Sequence, residues 1–141
     1  MTTSLPTRGQ VERTIAQRIQ ALYREHLGHQ PNKVTCQLSE KNVVILLEDS
    51  ITQPEQLLAQ VGRQDLAQQV HTDLDEAIKP KIKALLEEVL QVSVLDLLSD
   101  ATLETGHAGI IALLAEAPNI RNNAPNSNKT SRKTSASKSD S

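Results

Sequence analysis

Apolar residues recur along this chain in two periods. Val11, Ile15, Ile19 and Leu22 are spaced by four, four and three, and Leu27 closes the row. Arg13, Gln17, Arg18, Gln20 and Arg24 fill the other faces, so the stripe predicts a helix over 8–27. Gly28 stands where a helix C′ residue belongs, with Pro31 shortly beyond. Residues 33–38 alternate instead, with Val34, Cys36 and Leu38 against Lys33, Thr35 and Gln37. That is the pattern of a half-buried strand. A denser apolar strand over 43–48 follows the turn Ser39-Glu40-Lys41-Asn42. So short a loop allows only an antiparallel hairpin.

Thr52-Gln53-Pro54-Glu55 fits a capping box with a proline in the first turn. It predicts a short helix that buries Leu57, Leu58 and Val61 and stops at Gly62. A longer stripe of Leu66, Val70, Leu74, Ile78, Ile82, Leu85 and Val89 predicts a helix over about 64–90. Pro80 interrupts it, but the pattern stays in phase, which favours one kinked helix over two. A second hairpin is expected from strands at about 92–99 and 109–115. In the first of these, Val92, Val94, Asp96 and Leu98 would share one face, and Ser93, Leu95, Leu97 and Ser99 the other. Ala21-Leu22 and Leu27 near the end of the first long helix match Ala84-Leu85 and Leu90 near the end of the other, and Glu25 matches Glu88. Each copy leads into a hairpin, so the chain has the order of two α–β–β units. The predicted class is α+β, in the order α-β-β-α-α-β-β. It would be a two-layer fold, a four-stranded antiparallel sheet with two long helices on one face. Residues 1–7 read as a disordered lead, 8–116 as the domain, and 117–141 as a disordered Ser/Asn/Lys-rich tail.

Composition narrows the function classes. The 141 residues include no Phe or Trp, and Tyr23 is the one aromatic, so the core must be aliphatic. The net charge of −2 divides unevenly: residues 1–117 hold ten Lys/Arg against sixteen Asp/Glu, and 118–141 hold five against one. An acidic body with one aromatic neither attracts a phosphate backbone nor stacks bases, which argues against nucleic acid. Cys36 stands alone, so no internal disulfide is expected. No apolar run approaches the ~20 residues of a membrane span, and the N-terminus lacks the apolar core of a signal peptide. A cytoplasmic protein without an integral membrane segment is expected.

The densest polar stretch is 100–107, where Asp100, Thr102, Glu104, Thr105, Gly106 and His107 fall in one predicted turn. Asp100, Glu104 and the threonine hydroxyls could hold a hard cation. Glu104 and His107 could form a general acid–base pair. A plain hairpin turn with Gly106 at positive φ explains the same residues. Asp49 ends the second strand much as Asp100 ends the third, and the two carboxylates could share a cation. His26 and His29 offer half a zinc site without a third ligand, and histidines in a last helical turn also suit the helix dipole. Gly106 to Gly109 spells an RNA-binding GxxG, but without the basic residues such a loop carries. No nucleophile elbow, P-loop or dinucleotide fingerprint is present, so no catalytic residue, metal or cofactor is expected.

Three segments carry a family resemblance: GQVERTIAQRIQALYREHLG at 9–28, ILLEDSITQPE within 33–55, and LLSDATLETGHAGIIALL within 87–114. Together they resemble the bacterial MpsC-like family of a sodium-translocating, membrane-potential-generating system, closest to its cyanobacterial members, over roughly residues 8–115. The resemblance implies a place beside ion or inorganic-carbon transport. With no membrane span, the chain would be a soluble accessory or regulatory component, peripheral to the inner face of a membrane. It would act by protein–protein contact with membrane transport subunits, and as a homodimer through a free sheet edge or face. A small-ligand or cation sensor using the 100–107 turn is the alternative. The resemblance carries no catalytic residue over; it gives priority to Asp100, Glu104, Thr105 and Gly106, which match a recurring turn.

Overall fold

The computed structural model describes residues 5–121. Seven elements follow the predicted order: α1 (Arg8–Leu27), β1 (Lys33–Ser39), β2 (Asn42–Glu48), α2 (Gln53–Gln60), α3 (Gln64–Leu90), β3 (Val94–Thr102) and β4 (His107–Leu114). The strands form one antiparallel sheet in the order β1-β2-β4-β3, so the two hairpins meet at their second strands. The fold is α+β, as the periodicity predicts.

Among the described residues, 5–10 and 119–121 cluster as a unit of their own, and Val11–Pro118 as another. In the first, Arg121 N–H donates to Pro6 O at 2.7 Å, and Thr7 and Arg121 form a parallel bridge. Thr7 and Gln10 also exchange hydrogen bonds, Thr7 N–H to Gln10 Oε1 and Gln10 N–H to Thr7 Oγ1. This capping box opens α1 and is written in the sequence as Thr-x-x-Gln. The disorder expected for 1–7 and 117–141 concerns mainly residues outside those described.

In the larger unit, strand alternation decides what is buried. Rows across the sheet read Leu38–Val43–Ala112–Leu97 and Cys36–Ile45–Ile110–Ser99 on the inner face. Val43, Ile45, Ile110 and Ala112 are at most 1% exposed. Val11, Ile15, Ile19 and Tyr23 of α1 are buried, as are Ile78, Ile82, Leu85 and Leu86 of α3. Glu12 Oε2 accepts Leu38 N–H at 2.8 Å, and Glu87 Oε2 accepts Val94 N–H at 2.9 Å, so each long helix also satisfies an edge-strand donor. The outer face is bare, and Leu46 and Leu98 there are each 56% exposed.

Three local expectations need correction. β3 carries a bulge between Val94 and Asp96, which shifts the alternation by one. Val94 is therefore buried while Asp96 and Leu98 point outward, and the mixed faces expected from 92–99 sort themselves. The strands also run closer to the turn than expected, which leaves residues 103–106 as the turn and puts Asp100, Thr102 and His107 in paired strand positions. Finally, α2 does not bury Leu57 and Val61, which are 60% and 64% exposed; its buried residue is Glu55. α3 runs unbroken through Pro80, the one-helix reading.

The two sheet faces should respond differently to truncation. Ile45→Ala, in the closed face, should cost about 2–5 kcal/mol of unfolding free energy by urea titration. Leu46→Ala, one residue on, should stay within about 1 kcal/mol of the parent. Equal losses would contradict the one-sided packing.

Candidate functional site

The 103–106 turn is tucked against the loop after β2. Gly106 N–H donates to Thr102 O at 2.8 Å and closes the turn. Gly106 has φ +79°, a conformation that other residues rarely adopt. Its carbonyl accepts two bonds from Ser50, from N–H at 2.9 Å and Oγ at 3.0 Å. A Cβ on Gly106 would lie 3.6 Å from Asp49 Cα, which shows how near the two loops run. His29 Nε2 donates to Asp49 O at 2.7 Å and steadies that loop from the far side.

The turn, this loop, α2 and the start of α3 enclose an open groove of about 830 Å³. Asp49, Thr102, Glu104, Thr105 and Gly106 line it, so the structure brings five of the seven sequence candidates together. Gln56 and Gln60 of α2 and Gln64 and Gln68 of α3 face them, with Asp65. Asp100 and His107 line a depression of the outer sheet face instead, and Asp100 also borders a small cavity beside Glu55 and His71. Their strands alternate, and Thr102 pairs with His107 across the turn. Glu104 and His107 therefore line different surfaces, as do Asp49 and Asp100. Among the described residues no three His, Cys, Asp or Glu side chains group as metal ligands. His26 ends α1, and His29 is engaged with Asp49.

Beneath the groove lies a polar corner that the spacing of residues does not announce. Thr52 N–H and Thr52 Oγ1 both donate to Glu55 Oε1, at 3.0 and 2.7 Å. His71 Nδ1 of α3 lies 2.8 Å from Glu55 Oε2. The carboxylate that caps α2 therefore also ties α2 to α3. Glu55 is 2% exposed, and burial opposes its charge; the bonds from His71 and Thr52 and the His71 charge outweigh this and hold its pKa below the ordinary value. The bond to Glu55 raises the His71 pKa against desolvation, helped by the charges of Glu55, Asp75 and Asp100. Next to this pair, Ser99 Oγ reaches both carboxylate oxygens of Asp75, at 3.0 and 2.8 Å. Burial, then the Asp75 and Glu55 charges, push the Tyr23 phenol well above its usual range. Cys36 is buried on the inner sheet face, and desolvation with the Glu12 charge pushes its thiol up to about 12, so it stays protonated and inert.

Sequence reading finds Glu55 only as a capping residue and His71 only as an isolated histidine. Their contact spans sixteen residues and two helices.

The pair sets a pH window. The folded protein holds the His71 proton more tightly than the unfolded chain does. Its contribution is complete below the ordinary value of 6.5 and is lost as pH rises through the folded pKa. Glu55 contributes above its ordinary 4.5 and loses this as pH falls through its lowered pKa. The pair thus supports the fold best between pH 4.5 and 6.5. Urea midpoints followed over roughly pH 5 to 9 should fall on the alkaline side, and His71→Gln should remove most of that slope. An unchanged slope in the variant would remove His71 as its cause.

Comparison with known proteins gives one family and no close relative. Residues 7–116 match the family model described as the Na+-translocating membrane potential-generating system (MpsC). Neither the curated proteins nor the solved structures include a match. The family match spans all seven elements and the groove, and no helix among the described residues is long and apolar enough to cross a membrane. The chain belongs to the MpsC family.

Proposed function

We propose that this chain is an accessory or regulatory component of the membrane-potential-generating sodium system, and that it works by docking rather than by chemistry of its own. The observation that carries this reading is the groove at the 103–106 turn. It is broad and open, and it is lined by glutamine amides, threonines and the carboxylates of Asp49, Asp65 and Glu104. Amides and carboxylates at this density suit a polypeptide surface with exposed donors. Glu104 and His107, the candidate general acid and base, line separate surfaces, which supports docking over acid–base chemistry. The partners in this reading are the membrane transport subunits, and the chain meets them at the inner face of the membrane.

A second reading is favoured by the same carboxylates: a sensor whose groove takes a cation or small polar ligand. The two readings separate in two measurements. Capture from detergent-solubilised membranes should recover transporter subunits, and Glu104→Lys with Asp49→Lys should lose them while leaving the melting temperature in place. Recovery of soluble proteins alone would overturn the docking reading. Melting with millimolar magnesium, calcium or bicarbonate should leave the midpoint unmoved if docking is the role. An upward shift that Glu104→Gln abolishes would establish the sensor instead.

A further inference from the structure

We propose that the outer face of the sheet is where two copies of this chain meet, packed sheet on sheet about a two-fold axis running along the strands. This goes beyond the docking role, and the face shares only residues 101 and 102 with the groove.

The register lays four rows across this face, the end one made of Lys33, Glu48, His107 and Thr102. Gln37, Val44, Ile111 and Leu98 form one; Thr35, Leu46, Gly109 and Asp100 the next; Ser39, Asn42, Leu113 and Asp96 the third. β1 presents polar side chains in all four, and only Lys33 among them is charged. β2 and β4 present mostly aliphatic ones, and β3 presents Leu98 between two aspartates. Leu46 and Leu98 are 56% exposed and Ile111 41%, and a depression of about 490 Å³ lies over Gly109 and Ala108 among them. A contiguous aliphatic patch of this kind marks an interaction surface.

The order of chemistry along the rows points to the occupant. A two-fold along the strands lays β1 of one copy over β3 of the other, and β2 over β4. Val44 then meets Ile111 of the second copy. Leu46 meets Gly109 of the second copy, so a projecting side chain stands over a position that has none. The hydroxyls of Thr35 and Ser39 come to the carboxylates of Asp100 and Asp96 of the second copy. Every contact occurs twice, as an isologous interface requires. A two-fold across the strands would lay β3 on β3 and bring Asp96 against Asp100 of the second copy, which like charge disfavours. The same aspartates disfavour an anionic membrane surface. The residues after Arg121 offer only Ala124, Pro125 and Ala136 as apolar groups, a poor match for the five aliphatic side chains of the rows. Four strands about 4.8 Å apart and about seven residues long span roughly 19 by 24 Å. That is below the ~800 Å² per side of a standard interface, which implies a dimer that dissociates in the micromolar range.

The test uses the purified full chain without membranes, so its failure is distinct from failure of the docking role. In sedimentation runs from roughly 1 to 300 µM, the mass should climb from 15.4 kDa towards twice that. Leu46→Glu should hold it at the monomer, weakening association more than tenfold, with an unchanged circular dichroism spectrum. The register is tested with a short linker that joins two thiols, in a Cys36→Ala background carrying Thr35→Cys and Asp100→Cys. Within one chain these positions lie three strand spacings apart, roughly 14 Å. Facing positions on stacked sheets lie about 10 Å apart, beyond the ~7 Å that a disulfide spans between Cα atoms, so a short linker is what joins the two copies. The double variant should run as a covalent dimer on a non-reducing gel, and each single variant as a monomer. A chain that stays monomeric throughout, a dimer indifferent to Leu46→Glu, or a double variant that does not cross-link would each overturn the proposal. So would a monomer whose Leu46 instead governs capture of membrane subunits.

Discussion

Two helices on one side of a four-stranded sheet leave the other side bare, and most of this structure follows from that. Without Phe or Trp, the covered side must close with short aliphatic chains. It does so by presenting Val43, Ile45 and Leu47 from β2 and Ile110, Ala112 and Leu114 from β4 to the helices, all at most 3% exposed. These two strands are central, so their inner residues are buried from every side. The bare side keeps Val44, Leu46 and Ile111 on the same strands. A sheet that meets only water alternates apolar with polar. β2 does not, and the excess aliphatic content lies on the uncovered face.

The groove depends on a different interaction, the meeting of Thr52, Glu55 and His71. A capping-box glutamate ordinarily sits at a solvated helix end. Here it turns inward, because α3 supplies a histidine to receive it. That sets the rotation of α2 about its axis. With Glu55 inside, Leu57 and Val61 point outward, and Gln56 and Gln60 line the groove. The polar corner thus orients the surface to which the docking role is assigned. A buried carboxylate is costly unless it is fully bonded, and Glu55 has three donors about it: the Thr52 amide, the Thr52 hydroxyl and the His71 ring.

The long-period features were legible in the sequence. The bounds of α1 follow from its stripe and from Gly28, which sits at φ +69°. The first hairpin follows from clean alternation over 33–38 and a short polar turn. Legibility fails where a contact is non-local or where one residue breaks the period. The bulge at Val94/Asp96 hides the inner face of β3, because two residues there oppose one on β4. The inward Ser99 looks misplaced until Asp75 of α3 is seen to accept its hydroxyl. The candidate turn is a similar case. Five polar residues in eight look like one cluster on paper, but period-two alternation sends Asp100 and His107 to the open face, while the turn carries Glu104 and Thr105 to the groove. The matching helix ends and the order β1-β2-β4-β3 agree with two α–β–β units joined at their second strands.

That doubled plan bears on the bare face. In such a plan β1 and β3 are equivalent edge strands, and β2 and β4 equivalent central ones. Had the two units kept the same outward residues, any stacking of β1 on β3 would set like against like. They have not. β1 points Thr35, Gln37 and Ser39 outward, where β3 points Asp100, Leu98 and Asp96. The central strands differ in the same complementary sense, with Leu46 on β2 where Gly109 stands beside it on β4. The difference between the halves gives one sheet a projecting side and a receding side, and one edge that is polar with Lys33 at its end and one that carries two aspartates. A surface made this way is complementary to a second copy of itself when the strands run along the shared axis. The difference between the two hairpins, rather than their likeness, is what suits the face to self-association.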